Sequence, residues 1–450
     1  MVIVLTLYIV FTFVTLFCPL RWAIAGYLLL ACVDFQGNRD SIGILNAIRG
    51  FAVPLYLLWR LRGQAGHRTI VIAPVAWALL TVYAAIGSFW SYFPTSAWKL
   101  VGQMCGSLLI AFVLARAAKG GYLTPRVVIP VSIGAILIAV SQFIYLHNWT
   151  SEESRFSAFT SAQAFAAYLA ALYCVAVSAP GLAIRTRIWL CSALGLSAIF
   201  NGSRIWFIGM LLATLVAFLI SDVRVYAKVF LVGAVVLFAC VLVMVRGQLA
   251  QLIQDVAPSN RIVAAALAAY QGDMQSNGLG TLRFRRIIDD AAIDQLKKST
   301  VVEFFFGRGT SNGSLITGSI FRGYAGMSDP NRMVHDEWVR VFYEWGLFGM
   351  FLWCAFWASV IAYSVQGVRE DREGFAKPLL IYVPGLLVAL AGENFLAGAG
   401  SAISIGFLML FGLATLAHRN PKRKIDPLLV RTGFSTIAAE DVRPTLAPSR

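Results

Sequence analysis

Thirteen apolar stretches, several of them close to the roughly 20 residues that cross a bilayer, dominate the chain. Of the 450 residues, 59% are hydrophobic and 13% charged, whereas a soluble domain has about 25% charged residues. A soluble globular fold, a disordered chain and a disulfide scaffold are excluded. We predict an all-α polytopic membrane protein with 12 or 13 transmembrane helices, over residues 2–20, 22–33, 42–59, 70–88, 97–115, 127–146, 158–179, 188–200, 205–220, 225–245, 337–364, 378–395 and 400–417.

The positions of Lys and Arg predict how these helices are oriented. Cations cluster in alternate loops and mark them as cytoplasmic; they include Arg60, Arg62, Arg68, Arg116, Lys119, Arg126, Arg185, Arg187, Arg224, Lys228, Arg369, Arg372 and Lys377. The other loops carry scattered single cations. The N-terminal hairpin around Pro19 and Arg21 leaves 12 or 13 spans open.

Residues 246–334 form a long segment between the tenth and eleventh apolar stretches, and alternation predicts that it lies outside the cytoplasm. Its stretches 261–270 and 283–298 have helical spacing, whereas 307–326 is rich in Gly and Ser and predicts a loop. The predicted units are N-terminal transmembrane helices, a large and partly helical external loop, C-terminal transmembrane helices and a disordered cytoplasmic tail, at 1–245, 246–334, 335–417 and 418–450.

Charged residues within the apolar stretches need a physical reason, because a charge at the bilayer centre costs at least about 2.5–3.5 kcal/mol. Arg49 lies deep in the third stretch and Glu393 near the end of the twelfth. Glu337, Arg340 and Glu344 have the spacing of one helix face, so Arg340 can pair with either carboxylate. Two interpretations stay open: buried ion pairs that fix helix packing, or a polar cavity that opens to the outside.

A short polar break, Asn201-Gly202-Ser203-Arg204, precedes the ninth apolar stretch. Arg204 begins a predicted helix whose free backbone N–H groups favour an anion. An ordinary outer turn with a snorkelling arginine is the alternative.

His335 ends the long loop and precedes the eleventh stretch. A histidine there can act as a general base near neutral pH; a capping or interface histidine is the alternative. Within the loop, Arg283, Arg285 and Arg286 could bind phosphate oxygens through their planar forks, or simply form a solvated helix face.

The cysteines and histidines predict no metal site. None of the seven cysteines forms a CxxC pair, and the four histidines are widely spread. The net charge of +15 is not accompanied by an aromatic-interleaved basic surface, so we expect no nucleic-acid partner.

In the order of these motifs, the chain resembles the O-antigen ligase and O-antigen polymerase superfamily of bacterial membrane glycosyltransferases. The family pattern is a Ser-Arg pair at a helix start, then a large periplasmic loop with an arginine, a helix and a Gly-x-Gly, then a histidine followed eleven positions later by a glycine. Ser203-Arg204, Arg285 with Gly307-Arg308-Gly309, and His335 to Gly346 match these elements. Asp336 and Val339 depart from the family's amide or hydroxyl residue and leucine, and Arg283 or Arg286 could replace Arg285.

The resemblance implies transfer of a glycan from an undecaprenyl-pyrophosphate carrier to an acceptor hydroxyl at the periplasmic face of the bacterial inner membrane, with inversion and without metal or cofactor. The acceptor would be the lipid A core. His335 would be the general base, and Arg204 and Arg285 would bind the pyrophosphate. Supporting roles are implied for Ser203, Asp336, Glu337, Arg340, Arg283 and Arg286.

Two alternatives to an O-antigen ligase remain. A polymerase of the same superfamily would use a second lipid-linked glycan as acceptor. A transporter or flippase would place Arg49, Glu393 and the Glu337–Arg340 pair along a substrate path; it would be expected to show two related halves, which the sequence does not.

Overall fold

The computed structural model describes residues 2–33, 45, 47–63, 72–146, 161–221, 280–316, 334, 336–370, 374–392, 395 and 402–417. These residues contain no strand, so the all-α prediction is confirmed for them. Their α-helices are α1 Val2–Phe17, α2 Leu20–Leu30, α3 Val53–Arg60, α4 Ile72–Gly87, α5 Pro94–Lys119, α6 Pro125–Leu146, α7 Ala162–Ser178, α8 Ile184–Asn201, α9 Arg204–Leu219, α10 Gly280–Lys297, α11 Val301–Phe306, α12 Glu337–Glu370, α13 Lys377–Ala389 and α14 Ala402–Ala414.

Among the described residues, four stretches of helix are long and apolar enough to cross a membrane: Ala73–Trp90, Pro94–Lys119, Pro125–Ile144 and Glu337–Glu370. Further apolar helices of 10–17 residues accompany them. The predicted span 225–245, the helix 261–270 and the tail 418–450 lie outside the described residues, and the predicted count of 12 or 13 spans stays a prediction.

Two predicted helices are interrupted. The stretch 42–59 contains a π-helix over Ile48–Ala52 before α3 begins at Val53. Arg49 belongs to this π-helix and is buried, and its guanidinium donates to the carbonyl of Val33 at 2.9 Å. The prediction of a continuous helix over 337–364 is wrong at Gly346, whose φ of 64° and ψ of −162° are not helical. Gly346 breaks the helix where it contacts Gly307.

Specific contacts set the relative directions of the helices in the bundle. Along α4 and α12, Tyr83 contacts Trp345 and Trp77 contacts Trp353, so these helices are antiparallel. Along α12 and α14, Phe356 and Tyr363 meet Phe407 and Phe411 respectively, so these two helices are parallel.

A glycine contact joins α9 to α13. The Cα of Gly385 lies so close to Gly209 that a Cβ at Gly385 would come within 2.8 Å of it. The Trp206 ring stacks on Tyr382, with centroids 5.8 Å apart. Beyond the end of α13, the carbonyl of Leu390 accepts a hydrogen bond from the backbone N–H of Glu337 at 2.8 Å. Helix α13 therefore connects the helix that begins at Arg204 with the first turn of α12.

Candidate functional site

The site is built around the first two turns of α12. Asp336 is the residue before the helix, and its Oδ1 accepts hydrogen bonds from the backbone N–H groups of Trp338 at 2.8 Å and Val339 at 3.0 Å. This is an N-cap, for which Asp, Asn and Ser are among the preferred residues. An amide or hydroxyl residue at this position would be a capping residue as well. A role for Asp336 in orienting His335 stays a prediction.

Asp336 is partly withdrawn from water. Burial raises the pKa of its carboxyl above the ordinary value, and the hydrogen bonds from Val339 and Trp338 oppose that shift because they favour the charged form. His335 lies outside the described residues, so its predicted role as a general base stays a prediction.

Three buried charges follow on α12. The Nε of Arg340 lies 3.1 Å from Oε1 of Glu344, and its Nη1 lies 3.5 Å from Oε1 of Glu337. All three side chains are at most 1% exposed. Arg340 thus pairs with both carboxylates, as the spacing predicts. A polar cavity that opens to the outside stays a hypothesis. Removing Arg340 would leave both carboxylates uncompensated in a medium of low dielectric.

Glu344 also binds the segment 307–316, which the sequence predicts as a loop. Its Oε2 accepts from the backbone N–H of Ser311 at 2.8 Å, and its Oε1 from that of Gly313 at 3.1 Å. Residues 307–313 are not helical, as the sequence predicts, but the loop prediction is wrong at 314–316, which are helical. There the backbone N–H groups of Leu315 and Ile316 donate to the carbonyls of Asn312 and Gly313. The polar side chains Thr310, Ser311 and Asn312 are fully buried. The sequence did not predict this burial, although a run of small polar residues beside a Gly-x-Gly is a usable signal for a tightly packed loop.

The other end of the loop explains the break at Gly346. A Cβ on Gly307 would lie 2.3 Å from the carbonyl oxygen of Glu344, and one on Gly346 would lie 2.5 Å from the amide nitrogen of Gly307. The break frees three carbonyls of α12. The Tyr343 carbonyl accepts from the Arg308 N–H at 3.2 Å, and the Glu344 carbonyl accepts from the Gly309 N–H at 2.9 Å. The Trp345 carbonyl accepts from the Tyr83 hydroxyl at 3.2 Å. Non-helical backbone within a membrane segment requires such internal partners.

The loop is fixed to α4 as well. Thr310 donates from its backbone N–H to the Gly87 carbonyl at 3.2 Å and from its hydroxyl to the Ala84 carbonyl at 2.6 Å. The Trp345 indole donates to the same hydroxyl at 3.0 Å. Asn312 accepts from the Tyr92 N–H at 2.9 Å. Two of the last four carbonyls of α4, those of Ala84 and Gly87, therefore accept hydrogen bonds from the loop, at a helix end whose carbonyls lack partners within the helix.

Helix α10 covers this junction. Its residues Ile288 and Ala292 form a small buried cluster with Ile316, Val334 and Tyr343. The Tyr343 hydroxyl donates to Oε1 of Gln295 at 2.7 Å. These contacts place the helix that carries the three candidate arginines on the first turns of α12.

Of the three candidate arginines of α10, the structure describes the side chain of Arg286. The Arg286 side chain is 85% exposed and lies 4.0 Å from Asp290, the geometry of a solvated face. The side chains of Arg283 and Arg285 lie outside the described part of the chain. Arg308, between Gly307 and Gly309, instead supports the junction: it donates to the Gln295 carbonyl at 3.1 Å and lies 5.2 Å from the centre of the Tyr343 ring.

Arg204 begins α9, as the sequence predicts. The preceding turn has Gly202 at a φ of 72°, and the amide of Asn201 donates to the Ala162 carbonyl at 2.8 Å. Ser203 is buried and its backbone N–H donates to the Asn201 side chain. The Arg204 side chain is half-buried. Of the remaining candidates, Glu393 lies outside the described residues.

Among the residues that the structure describes, no group of three or more His, Cys, Asp or Glu side chains could hold a metal ion. No model of a known protein family matches the sequence, and no curated protein matches it significantly. The resemblance therefore depends on the order and spacing of the motifs in the sequence.

Proposed function

We propose that the protein is a membrane glycosyltransferase of the O-antigen ligase type. It transfers a glycan from an undecaprenyl-pyrophosphate carrier to an acceptor hydroxyl, either of the lipid A core or, as a polymerase, of a second lipid-linked glycan. The observation that carries the proposal is the contact between Gly307 and Gly346. It joins the Gly-x-Gly of the loop to the glycine that follows His335 by eleven positions, two family motifs that are 39 residues apart in the sequence.

The proposed topology puts this junction at the periplasmic face of the inner membrane. The opposite ends of the helices carry the cations. Arg116 and Lys119 lie in the last turn of α5, and Arg369 lies in the last turn of α12. Arg187 lies in the first turn of α8, and Lys377 begins α13. Because such residues concentrate on the cytoplasmic side, the first turn of α12 faces the periplasm, and so does the loop over it.

In the proposed reaction, the acceptor hydroxyl oxygen attacks the anomeric carbon of the donor sugar from the face opposite the pyrophosphate. His335 takes the hydroxyl proton as general base. The bond from the anomeric carbon to the pyrophosphate oxygen breaks, and its electron pair leaves with undecaprenyl pyrophosphate, so the configuration inverts. Arg204 and Arg285 stabilise the negative charge that develops on the leaving group. Position 285 precedes Ile288 and Ala292 by three and seven residues, the spacing of one helix face, which favours Arg285 over Arg286.

In this scheme the ion pairs of α12 position the loop and take no part in the reaction. Glu344 holds the loop and Arg340 holds Glu344. The backbone that follows His335 is thereby fixed, which general-base catalysis needs in order to keep the base within hydrogen-bond reach of the acceptor.

The decisive test is glycan transfer by the purified protein, given a lipid-pyrophosphate glycan and one acceptor at a time, with EDTA present. We expect transfer to the lipid A core or to a second lipid-linked glycan, and loss of about 10²–10⁴ in rate for His335→Ala. The acceptor that is used separates ligase from polymerase. Full activity of His335→Ala at normal protein level would reject the assignment, and donor translocation without transfer would favour a flippase.

The topology has its own test. Single cysteines at Thr186 and Asn260 in a Cys-free variant are probed with an impermeant thiol reagent on spheroplasts. We expect labelling at 260 and not at 186. The reverse pattern would place the loop in the cytoplasm and overturn the mechanism.

A further inference from the structure

An apolar groove of about 530 Å³ lies between α10, α11 and α12. Its walls include Ile293 and Leu296 of α10, Phe304 of α11, and Phe342 and Met350 of α12. Lys297 alone carries a charge among its lining residues, and its ammonium pairs with Asp294 at 2.8 Å. The volume falls within the range of small-molecule sites, about 300–1,000 Å³, but the usual group of converging polar side chains is replaced by hydrocarbon.

Helix α11 borders the groove and exposes most of its apolar side chains. Val301 and Val302 are 75% and 67% exposed, and Phe304, Phe305 and Phe306 are also exposed. Its one acid, Glu303, forms a capping box with Thr300. A contiguous exposed apolar patch of this kind marks an interaction surface, and a loop surrounded by water would not maintain it.

The exposed face of α11 continues onto a helix that is able to cross the membrane. Phe305 and Phe306 contact Phe348 of α12, with ring centroids 6.0 and 5.3 Å apart. Phe348 and Phe351 are themselves exposed and belong to the candidate span Glu337–Glu370. Side chains of this span that point away from the bundle contact lipid, so the continuous surface on α11 reaches the same hydrocarbon.

We propose that α11 lies within the bilayer leaflet at the N-terminal end of α12, and that the groove behind it holds one hydrocarbon chain of a membrane lipid. The aliphatic and aromatic walls fit an apolar chain. Lys297, at the C-terminal end of α10, then lies at the level where a lipid chain meets its anionic head group, as snorkelling lysines do. This proposal needs only the membrane location and does not depend on glycan transfer.

The test uses the photoreactive residue p-benzoyl-phenylalanine, introduced at Phe304 in the groove wall. The full-length protein is reconstituted in vesicles of phosphatidylethanolamine and phosphatidylglycerol, irradiated and analysed by mass spectrometry. The same residue at Phe351 is the lipid-facing control, and at Arg286, 85% exposed on α10, the water-facing control. We expect lipid adducts at 304 and 351 and none at 286. Adducts at 351 without any at 304 would overturn the proposal.

A filling substitution separates the groove from the outer surface of α11. Met350→Trp occupies the groove, and Leu347→Trp, on the exposed side of the same helix, is its matched control. We expect Met350→Trp to remove most of the adduct at 304, and Leu347→Trp to leave it. An unchanged yield with Met350→Trp would show that lipid touches α11 only from outside. Ile293→Trp fills the groove from α10 and decides the question if Met350→Trp does not fold. His335→Ala should keep all adducts, which separates this proposal from the transferase mechanism.

Discussion

The turn at Gly202 and the junction between Gly307 and Gly346 differ in what the glycine does. Gly202, before α9, has φ and ψ of 72° and 12°, the left-handed region that Asn also adopts. Gly307 has 80° and 178°, and Gly346 has 64° and −162°, a region that is essentially restricted to glycine. At Gly202 a Cβ would meet none of the described atoms within 4 Å, whereas at Gly307 it would overlap backbone.

The Gly307–Gly346 junction holds the structure together, whereas the Gly202 turn lies beside an arginine that we propose binds the substrate. At the Gly307–Gly346 junction a Cβ on either glycine would overlap backbone atoms, and the freed carbonyls have partners. The Gly202 turn has open space beside a half-buried arginine at a helix start. We therefore expect changes at the junction to act on stability, and changes at Arg204 to act on the reaction.

The largest effect is expected for Gly307→Ala. The added methyl group forces backbone atoms apart, and alanine is strained at a φ and ψ that are essentially restricted to glycine. Together these two effects should lower the free energy of unfolding by about 2–6 kcal/mol. Overlap with a carbonyl oxygen favours the upper end. Gly202→Ala should cost only about 1–2 kcal/mol and Gly202→Asn less. The measurement is the thermal unfolding midpoint in detergent; equal midpoints for Gly307→Ala and Gly202→Ala would show that the two glycines are equivalent.

The next effect concerns the buried charges that fix the loop. Glu344→Ala removes the acceptor of the Arg340 Nε and of the Ser311 and Gly313 N–H groups, while Glu337 still pairs with Arg340. Three buried donors lose their partner, so a loss of about 3–5 kcal/mol is expected. Asp290→Asn, which changes an exposed carboxylate on α10, should stay within about 0.5 kcal/mol. The double variant Arg340→Met/Glu344→Gln should lose less than the sum of its single changes, since it removes both charges. Additive losses in the unfolding free energy would mean that the pair is not coupled.

For the two arginines proposed to bind the pyrophosphate, Arg204 and Arg285, the expected effect is on activity. Arg204→Lys and Arg285→Lys keep the charge and lose the planar fork. A charge-assisted hydrogen bond is worth about 1.5–3 kcal/mol, so each change should lower donor turnover roughly 10- to 100-fold. Arg372→Lys, in a predicted cytoplasmic loop, is the control and should be neutral. Full turnover of both test variants, at equal protein level, would remove these arginines from the pyrophosphate site.

The smallest effect is expected at the helix cap. Asp336→Asn keeps a side-chain acceptor for the N–H groups of Trp338 and Val339, whereas Asp336→Ala removes it and should cost about 0.5–2 kcal/mol. If Asp336 is a cap only, Asp336→Asn also keeps transfer activity. An Asn variant of normal stability with greatly reduced transfer would instead assign the carboxylate charge to orienting His335.

The sequence by itself determined the helices and the order of the motifs. Apolar segments leave few alternatives to helix in a membrane, because every backbone group must be satisfied within the segment. Helices α5 and α6 accordingly cover their predicted stretches. The spacing of Glu337, Arg340 and Glu344 likewise predicted the ion pairs, since residues three and four apart are neighbours on a helix.

Only the tertiary structure decided that α12 breaks at Gly346 and that residues 310–312 are buried. Local sequence favours neither outcome. Gly346 lies in a run of good helix-forming and aromatic residues, and Thr310, Ser311 and Asn312 are polar. Both outcomes depend on partners far away in the chain: Gly307 for the break, and Ala84, Gly87 and Glu344 for the loop. A backbone group gives up its helical hydrogen bond only where another partner replaces it, and which partner comes near is fixed by the packing of the whole bundle.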